Sequence, residues 1–310
     1  MFRFQKEQEI VNIAGVKIGG QPGELPTVLA GTIFYEGHSI VDDANAGIFD
    51  RSAAEDLVHV QDSSADETGN PSIIHIFGNT SKCIFKYIDF ISSISDSPII
   101  IDSPDPQVRM RATEYVSDIG LADKVIYNSI NMSIKEDERE VLRTSDVDSS
   151  ILLAFNAMDS SLNGRMELLE NGGKVLDEGV IDIARQCDIK NMLIDPSITP
   201  IGNGAGIALR MTLTAKAKWG YPVGSGIHNA PSSWKWLQDR RKVDPLVYKI
   251  CDVGSTCLQQ ATGGDFILYG PIENAPYIFP LASMSDIMIN EASSDLDIVA
   301  SLSHPVNRLL

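Results

Sequence analysis

Four polar residues carry the chemistry that can be read from this chain: Asp102, Asn128, Asp195 and Asn229. The first three end short apolar runs, in PIIIDSPDP (98–106), VIYNSINMS (125–133) and MLIDPSITPIG (192–202); Asn229 lies in VGSGIHNAPSSW (223–234). Apolar runs of this length read as strands buried on both faces. An acid or amide at the carboxyl end of such a strand stands where α/β proteins place their ligands. Brought together, the four residues offer carboxylate acceptors and planar amides but no positive charge. That set suits a flat, nitrogen-rich, neutral ligand better than a phosphate. A carboxylate accepts two hydrogen bonds side by side from an aminopyrimidine edge, and an Asn meets a ring nitrogen in either protonation state. The competing readings are structural, with Asp capping a following helix and Asn forming a turn.

Other residues extend the candidate set. Asn131 and Asn156 are amides of the same kind. His228, His38 and Glu36 lie in segments that follow apolar runs and supply acid–base groups, against the reading of packed or surface residues. Trp234 and Trp236 read first as packing. No HExxH, HxH or Cys/His cluster marks a metal site, so none is expected. Serine-hydrolase (GxSxG) and phosphate-loop (GxxxxGK[ST]) motifs are also missing. Cys83, Cys187, Cys251 and Cys257 are scattered, as free thiols of a reducing compartment would be.

The 310 residues suffice for one large domain, read as a single unit over 1–310 with an extension over 1–26. Twenty-five Lys and Arg against 42 Asp and Glu give a net charge of −17. That excess argues against a nucleic-acid partner and against an anionic membrane surface. No apolar run has the length of a membrane span and the start lacks a secretory core, so a cytoplasmic protein is expected.

Strand-like and helix-like segments alternate along the chain. The strands read as 28–34, 73–77, 99–102, 125–128, 150–155, 192–195, 222–226 and 266–270. The helices read as 50–67, 81–93, 104–119, 134–144, 170–187, 204–218, 245–261 and 285–302. Eight repeated units, with no GxGxxG after the first strand, predict a TIM (β/α)8 barrel and not an open dinucleotide-binding sheet. Two short apolar runs flanking Ala14-Gly15 predict an N-terminal β-hairpin that closes the bottom of the barrel. Residues 156–165 and 226–245 read as irregular segments on the catalytic face.

Several long motifs resemble one family. EIVNIAGVKIGGQPGELPTVLAGTIFYEGH, GLADKVIYNSINMS and IDPSITPIGNGAG are similar to the H-subunit family of tetrahydromethanopterin S-methyltransferase, over nearly the whole chain. The likeness looks strongest toward the soluble bacterial branch that moves methyl groups between a corrinoid protein and tetrahydrofolate in glycine betaine metabolism. A more distant likeness extends to the methyltetrahydrofolate:corrinoid/iron–sulfur protein methyltransferase and to dihydropteroate synthase, both pterin-binding barrels. The resemblance implies pterin contacts at Asp102, Asn128, Asp195 and Asn229, with Asn229 catalytic beside N5 of the pterin. His228 stands where that pattern has a small polar residue. It further implies methyl transfer between a protein-bound methylcorrinoid and tetrahydrofolate or tetrahydromethanopterin, a separate corrinoid protein as partner, and a homodimer. A peripheral complex subunit and a noncatalytic pterin-binding subunit are the alternatives.

Overall fold

The computed structural model describes residues 1–310. Strands β1 (Ile10–Ile13) and β2 (Val16–Gly19) form an antiparallel hairpin. Its two turn residues, Ala14 and Gly15, both have positive φ, 46° and 90°, as a two-residue turn matching the strand twist requires. Then follow β3 (Val28–Ile33), a small hairpin of β4 (Val41–Asp43) and β5 (Ile48–Phe49), and helix α1 (Arg51–Thr68). The chain continues through β6 (Ser72–Phe77), α2 (Ser81–Ile94), β7 (Ile99–Asp102), α3 (Pro106–Asp118), β8 (Val125–Ile130) and α4 (Glu136–Thr144). Next come β9 (Ser149–Leu153), α5 (Leu162–Asn171), α6 (Val180–Gln186), β10 (Asn191–Asp195), α7 (Ala205–Lys218) and β11 (Gly224–Ser225). The last part holds α8 (Asn229–Ser232), α9 (Lys235–Arg241), α10 (Pro245–Ala261), β12 (Phe266–Pro271), α11 (Ala275–Glu291) and α12 (Pro305–Leu309).

Eight parallel strands run in the order β10-β9-β8-β7-β6-β3-β12-β11. The ring closes where Ile194 bridges Val223 and its N–H donates to the Pro222 carbonyl at 2.9 Å. This is the expected TIM barrel. Both faces of the strands are apolar, for two different reasons. Ile74, Ile76, Ile99, Ile101 and Tyr127 point outward into the core shared with the helices. Ala30, Ile73, Ile100, Ile126, Ile151, Leu193 and Leu268 point inward and fill the barrel.

That inner cluster also includes Val11, Ile13 and Ile18 of the hairpin, which therefore plugs the amino-terminal mouth, as expected from its sequence. Lys216 pins the plug. Its buried Nζ lies 2.6 and 2.7 Å from the Asp265 oxygens and donates to the Gly20 carbonyl at 3.0 Å. An ion pair so deep survives because both charges are paired and hydrogen-bonded.

Some expected boundaries shift. The helix expected over 170–187 is helical only at its start, the end of α5, and again over α6, because Gly172 and Gly173 take φ of 84° and 56° and end α5 with a left-handed turn. The last long helix spans Ala275–Glu291 and not 285–302. Pro276 sits in its first turn, where no backbone donor is needed, and only Pro280 interrupts the ladder. The irregular stretch 226–245 contains α8 and α9, and α5 begins inside 156–165, capped by Ser161 accepting from the Gly164 N–H at 3.2 Å. No helix is long and apolar enough to cross a membrane.

Candidate functional site

Alternation along the strands builds the site. Two residues beyond each inward apolar residue, the next inward position is Thr32 on β3, His75 on β6, Asp102 on β7, Asn128 on β8, Leu153 on β9, Asp195 on β10 and Gly270 on β12. One turn of the ring thus changes from apolar packing to polar groups at the carboxyl ends of the strands. The register puts Asp102 opposite Asn128, Thr32 opposite His75, and Leu153 opposite Asp195. Three of the four principal expected residues therefore share one layer.

Neither acid caps a helix. The cap of α3 is Asp105, whose side chain accepts from the Gln107 N–H at 2.9 Å, and the cap of α7 is Gly204, well beyond Asp195. Asp102 instead faces His75, with Oδ2 3.1 Å from Nε2. The other ring nitrogen, Nδ1, is 2.9 Å from Thr32 Oγ1. With Asp102 ionised, Nε2 donates to the carboxylate and Thr32 donates to Nδ1. Asp195 accepts only the Ser197 N–H, at 2.7 Å, within a turn in which Ser197 has φ 61°. Burial pushes its carboxyl up to about 7, against the opposing pull of that N–H and of the Arg165 charge.

A buried arginine holds the turn after each acid. Arg109 donates to the Ser103 carbonyl at 2.7 Å and to Glu138 at 2.6 Å, with Nε 3.0 Å from the Tyr127 hydroxyl. Arg165 donates to the Pro196 and Ser197 carbonyls. Guanidinium groups are rarely buried this fully, at 5% and 1% exposure, and both spend donors on carbonyls that shape the site.

The remaining expected residues are placed as follows. Asn131 and Asn156 are engaged in turns. Asn131 Oδ1 accepts from Ser133, and the buried Asn156 donates to the Gly164 and Gly173 carbonyls while accepting from Met158 and Asp159. Asn229 is exposed at the start of α8 after β11, folded back so that its Nδ2 lies 2.8 Å from where a Cβ on Gly226 would stand. His228 takes the inward place beside it. Its ring covers Gly270, where a Cβ would come within 2.6 Å, so β12 needs a glycine there. Burial, with His75 nearby, lowers its imidazole to about 4, so it is neutral near pH 7. His38 is buried under Tyr35, their rings 4.3 Å apart, with Nε2 3.1 Å from Glu273. Glu36 is exposed. No group of three His, Cys, Asp or Glu side chains has a metal-binding arrangement.

His75, Thr32, Arg109 and Arg165 did not emerge from the sequence. The signal for His75 was available: IIHIF places it two residues after Ile73, the same step that separates Ile100 from Asp102.

Fold and site define a class, the parallel barrels with a polar ring of acids and an amide at the carboxyl mouth. The fold is shared with Yersinia pestis dihydropteroate synthase, at TM-score 0.58 and 12% identity over 93% of this chain and 100% of that one. Coxiella burnetii dihydropteroate synthase in complex with pteroic acid gives the same TM-score at 15% identity, over 89% and 98% of the two chains. Residues 6–300 match the family described as Tetrahydromethanopterin S-methyltransferase MtrH subunit, and the chain belongs to that methyltransferase-subunit family. A Methanosarcina barkeri protein, named for the H-type subunit of the methyltransferase mtx, is 69% identical over the full length of both chains. The H-type subunit of the Methanothermobacter marburgensis tetrahydromethanopterin S-methyltransferase is 50% identical, again over both full lengths.

Proposed function

We propose that this protein moves a methyl group between the cobalt of a methylcorrinoid, carried by a separate protein, and N5 of a reduced pterin bound at the barrel mouth. The observation that carries the reading is the shared layer of Asp102, Asn128 and Asp195, acceptors and an amide, in a ring of inward positions that holds no Lys or Arg. Asp102 and Asp195 accept from the aminopyrimidine side, and Asn128 holds the ring edge. The step is an SN2-like displacement: the N5 lone pair takes the methyl group, the Co–C electron pair stays on cobalt, and N5 gives up its proton. No protein nucleophile is required, so the barrel contributes position and hydrogen bonds that strengthen as charge changes at N5. Asn229 is the group we assign to N5, by a turn of its side chain from Gly226 toward the mouth.

The choice of pterin follows the relatives. Tetrahydrofolate is the sequence expectation, while full-length relatives at 46–50% identity carry tetrahydromethanopterin in their names. Both share the head that the layer recognises, and the names favour tetrahydromethanopterin. We further propose that the chain acts as the pterin-side subunit of a complex with a corrinoid protein, as a homodimer by analogy with other barrels of this group, in a single domain.

The test is a spectroscopic assay with methylcobalamin and each pterin, following cob(I)alamin and the methylated pterin. Turnover that falls at least about tenfold in Asn229→Ala, with pterin affinity nearly unchanged, supports the assignment. Equal loss of both refutes the role of Asn229. Pterin binding without turnover, even with a corrinoid protein supplied, identifies a noncatalytic subunit.

A further inference from the structure

Beside the pterin layer a second cleft of about 700 Å³ opens between His228, α10 and the segment after β12. Two buried acceptor atoms on its wall have no donor. Asp252 is 6% exposed and its Oδ1 is unpartnered, while Oδ2 is 3.4 Å from Asn274 Nδ2. Glu273 Oε2 is also unpartnered, its Oε1 being taken by the Tyr35 hydroxyl at 2.8 Å. Two cations stand on the same wall. Lys249 bonds Asn274 and lies 4.3 Å from the Tyr277 ring centre, and Arg241 lies 4.7 Å from that of Tyr248.

Buried acceptors without donors call for a ligand that brings N–H or O–H groups. Adjacent Arg and Lys donors call for acceptors on the same ligand. A wholly anionic group satisfies the second demand and is repelled by Asp252 and Glu273. A primary carboxamide meets both, since its NH2 and C=O lie side by side. Corrins carry a rim of such carboxamides. Pterin tails, in contrast, end in carboxylates. The cleft adjoins the barrel mouth through His228, so its occupant stands next to the pterin head and not beneath it.

We propose that this cleft is the subsite for the carboxamide rim of the corrin. The inference rests on the methyl-transfer reading and gives that reading a place for its second reactant.

The test uses the full-length protein with methylcobalamin as probe, and two pterins, 6,7-dimethyltetrahydropterin with no tail and tetrahydromethanopterin with its tail. Arg241→Gln changes an exposed side chain and leaves the core alone; Asp252→Asn probes the buried acceptor and is paired with a melting curve. The expected result is methylcobalamin affinity about tenfold weaker in each variant, with both pterin affinities unchanged. Methylcobalamin affinity unchanged in Arg241→Gln, or a wild-type protein that takes up none, overturns the proposal. Loss confined to the tailed pterin assigns the cleft to the tail and overturns it too. Failure of the underlying reading has a separate signature: wild-type protein that does not bind the tailless pterin, or binds it equally well after Asp195→Asn.

Discussion

The Asp102 corner and the Asp195 corner are built from the same parts and end in different surroundings. Both carboxylates close a buried strand, and in both the following turn is fixed by a buried arginine bonding backbone carbonyls. Around Asp102 the neighbours add a donor, His75, which is itself held by Thr32. Around Asp195 only one backbone N–H reaches the carboxylate, and burial dominates. What separates them is the adjacent strand: β6 offers His75 to one, while β9 offers Leu153 to the other. A strand-end acid is therefore defined by its neighbours across the sheet, not by the residues that flank it in sequence.

The largest test of this contrast is structural. Arg109→Met leaves Glu138 buried without its cation and is expected to cost about 3–5 kcal/mol. Arg165→Met strands only carbonyls and is expected to cost about 1–3 kcal/mol. Urea unfolding of both variants checks the order, and equal losses would mean that the ion pair with Glu138 adds nothing.

Next in size is the effect on ligand. Asp195→Asn replaces a pure acceptor by a group that presents a donor to the aminopyrimidine, and is expected to weaken pterin binding by about 10–100-fold. His75→Ala leaves Asp102 in place and is expected to cost less than about tenfold. Calorimetric titration ranks the two, and a larger loss in His75→Ala would make the imidazole itself the ligand contact.

The smallest effect is a pH dependence. The folded protein holds the Asp195 proton up to about 7, above the ordinary carboxylate value of 3.8. A raised value means that the folded state binds more protons than the unfolded chain between about 4 and about 7, so this group's stabilisation is present in acid and lost as pH rises through that window. The melting temperature of ligand-free protein is expected to fall less between those pH values in Asp195→Asn than in the wild type. If Asp195 accepts from the pterin as proposed, pterin affinity is expected to run the other way and to weaken as pH drops below about 7 in the wild type, which titration at several pH values checks.

Much of this arrangement was legible in the chain. Apolar runs ending in Asp or Asn gave away three members of the layer, and the turn residues Ala14-Gly15 gave away the plug. What stayed hidden has physical causes. A strand buried on both faces shows no alternation, so in IIHIF the two-residue step from Ile73 to His75 is the one mark of an inward histidine, and it gains meaning only beside the same step from Ile100 to Asp102 on the neighbouring strand. Arginines read as surface residues, and nothing local marks Arg109 or Arg165 as buried. An amide free to bind a ligand and one spent on its own loop look alike in sequence, as Asn128 and Asn156 do. The expected helix over 170–187 ran through Gly172-Gly173, whose left-handed turn ends α5; the start of α11 was obscured by Pro276, which is harmless in a first turn.

The hairpin held by Lys216 makes the barrel a cup with one opening and not a tube. Traffic through a cup is ordered. On the proposed reading, a pterin head seated on the inner layer enters before anything that docks above it and leaves after it. For the two-reactant transfer proposed above, the expected sequence of events is the small molecule first in and last out, set by a pair of strands at the amino-terminal end of the barrel.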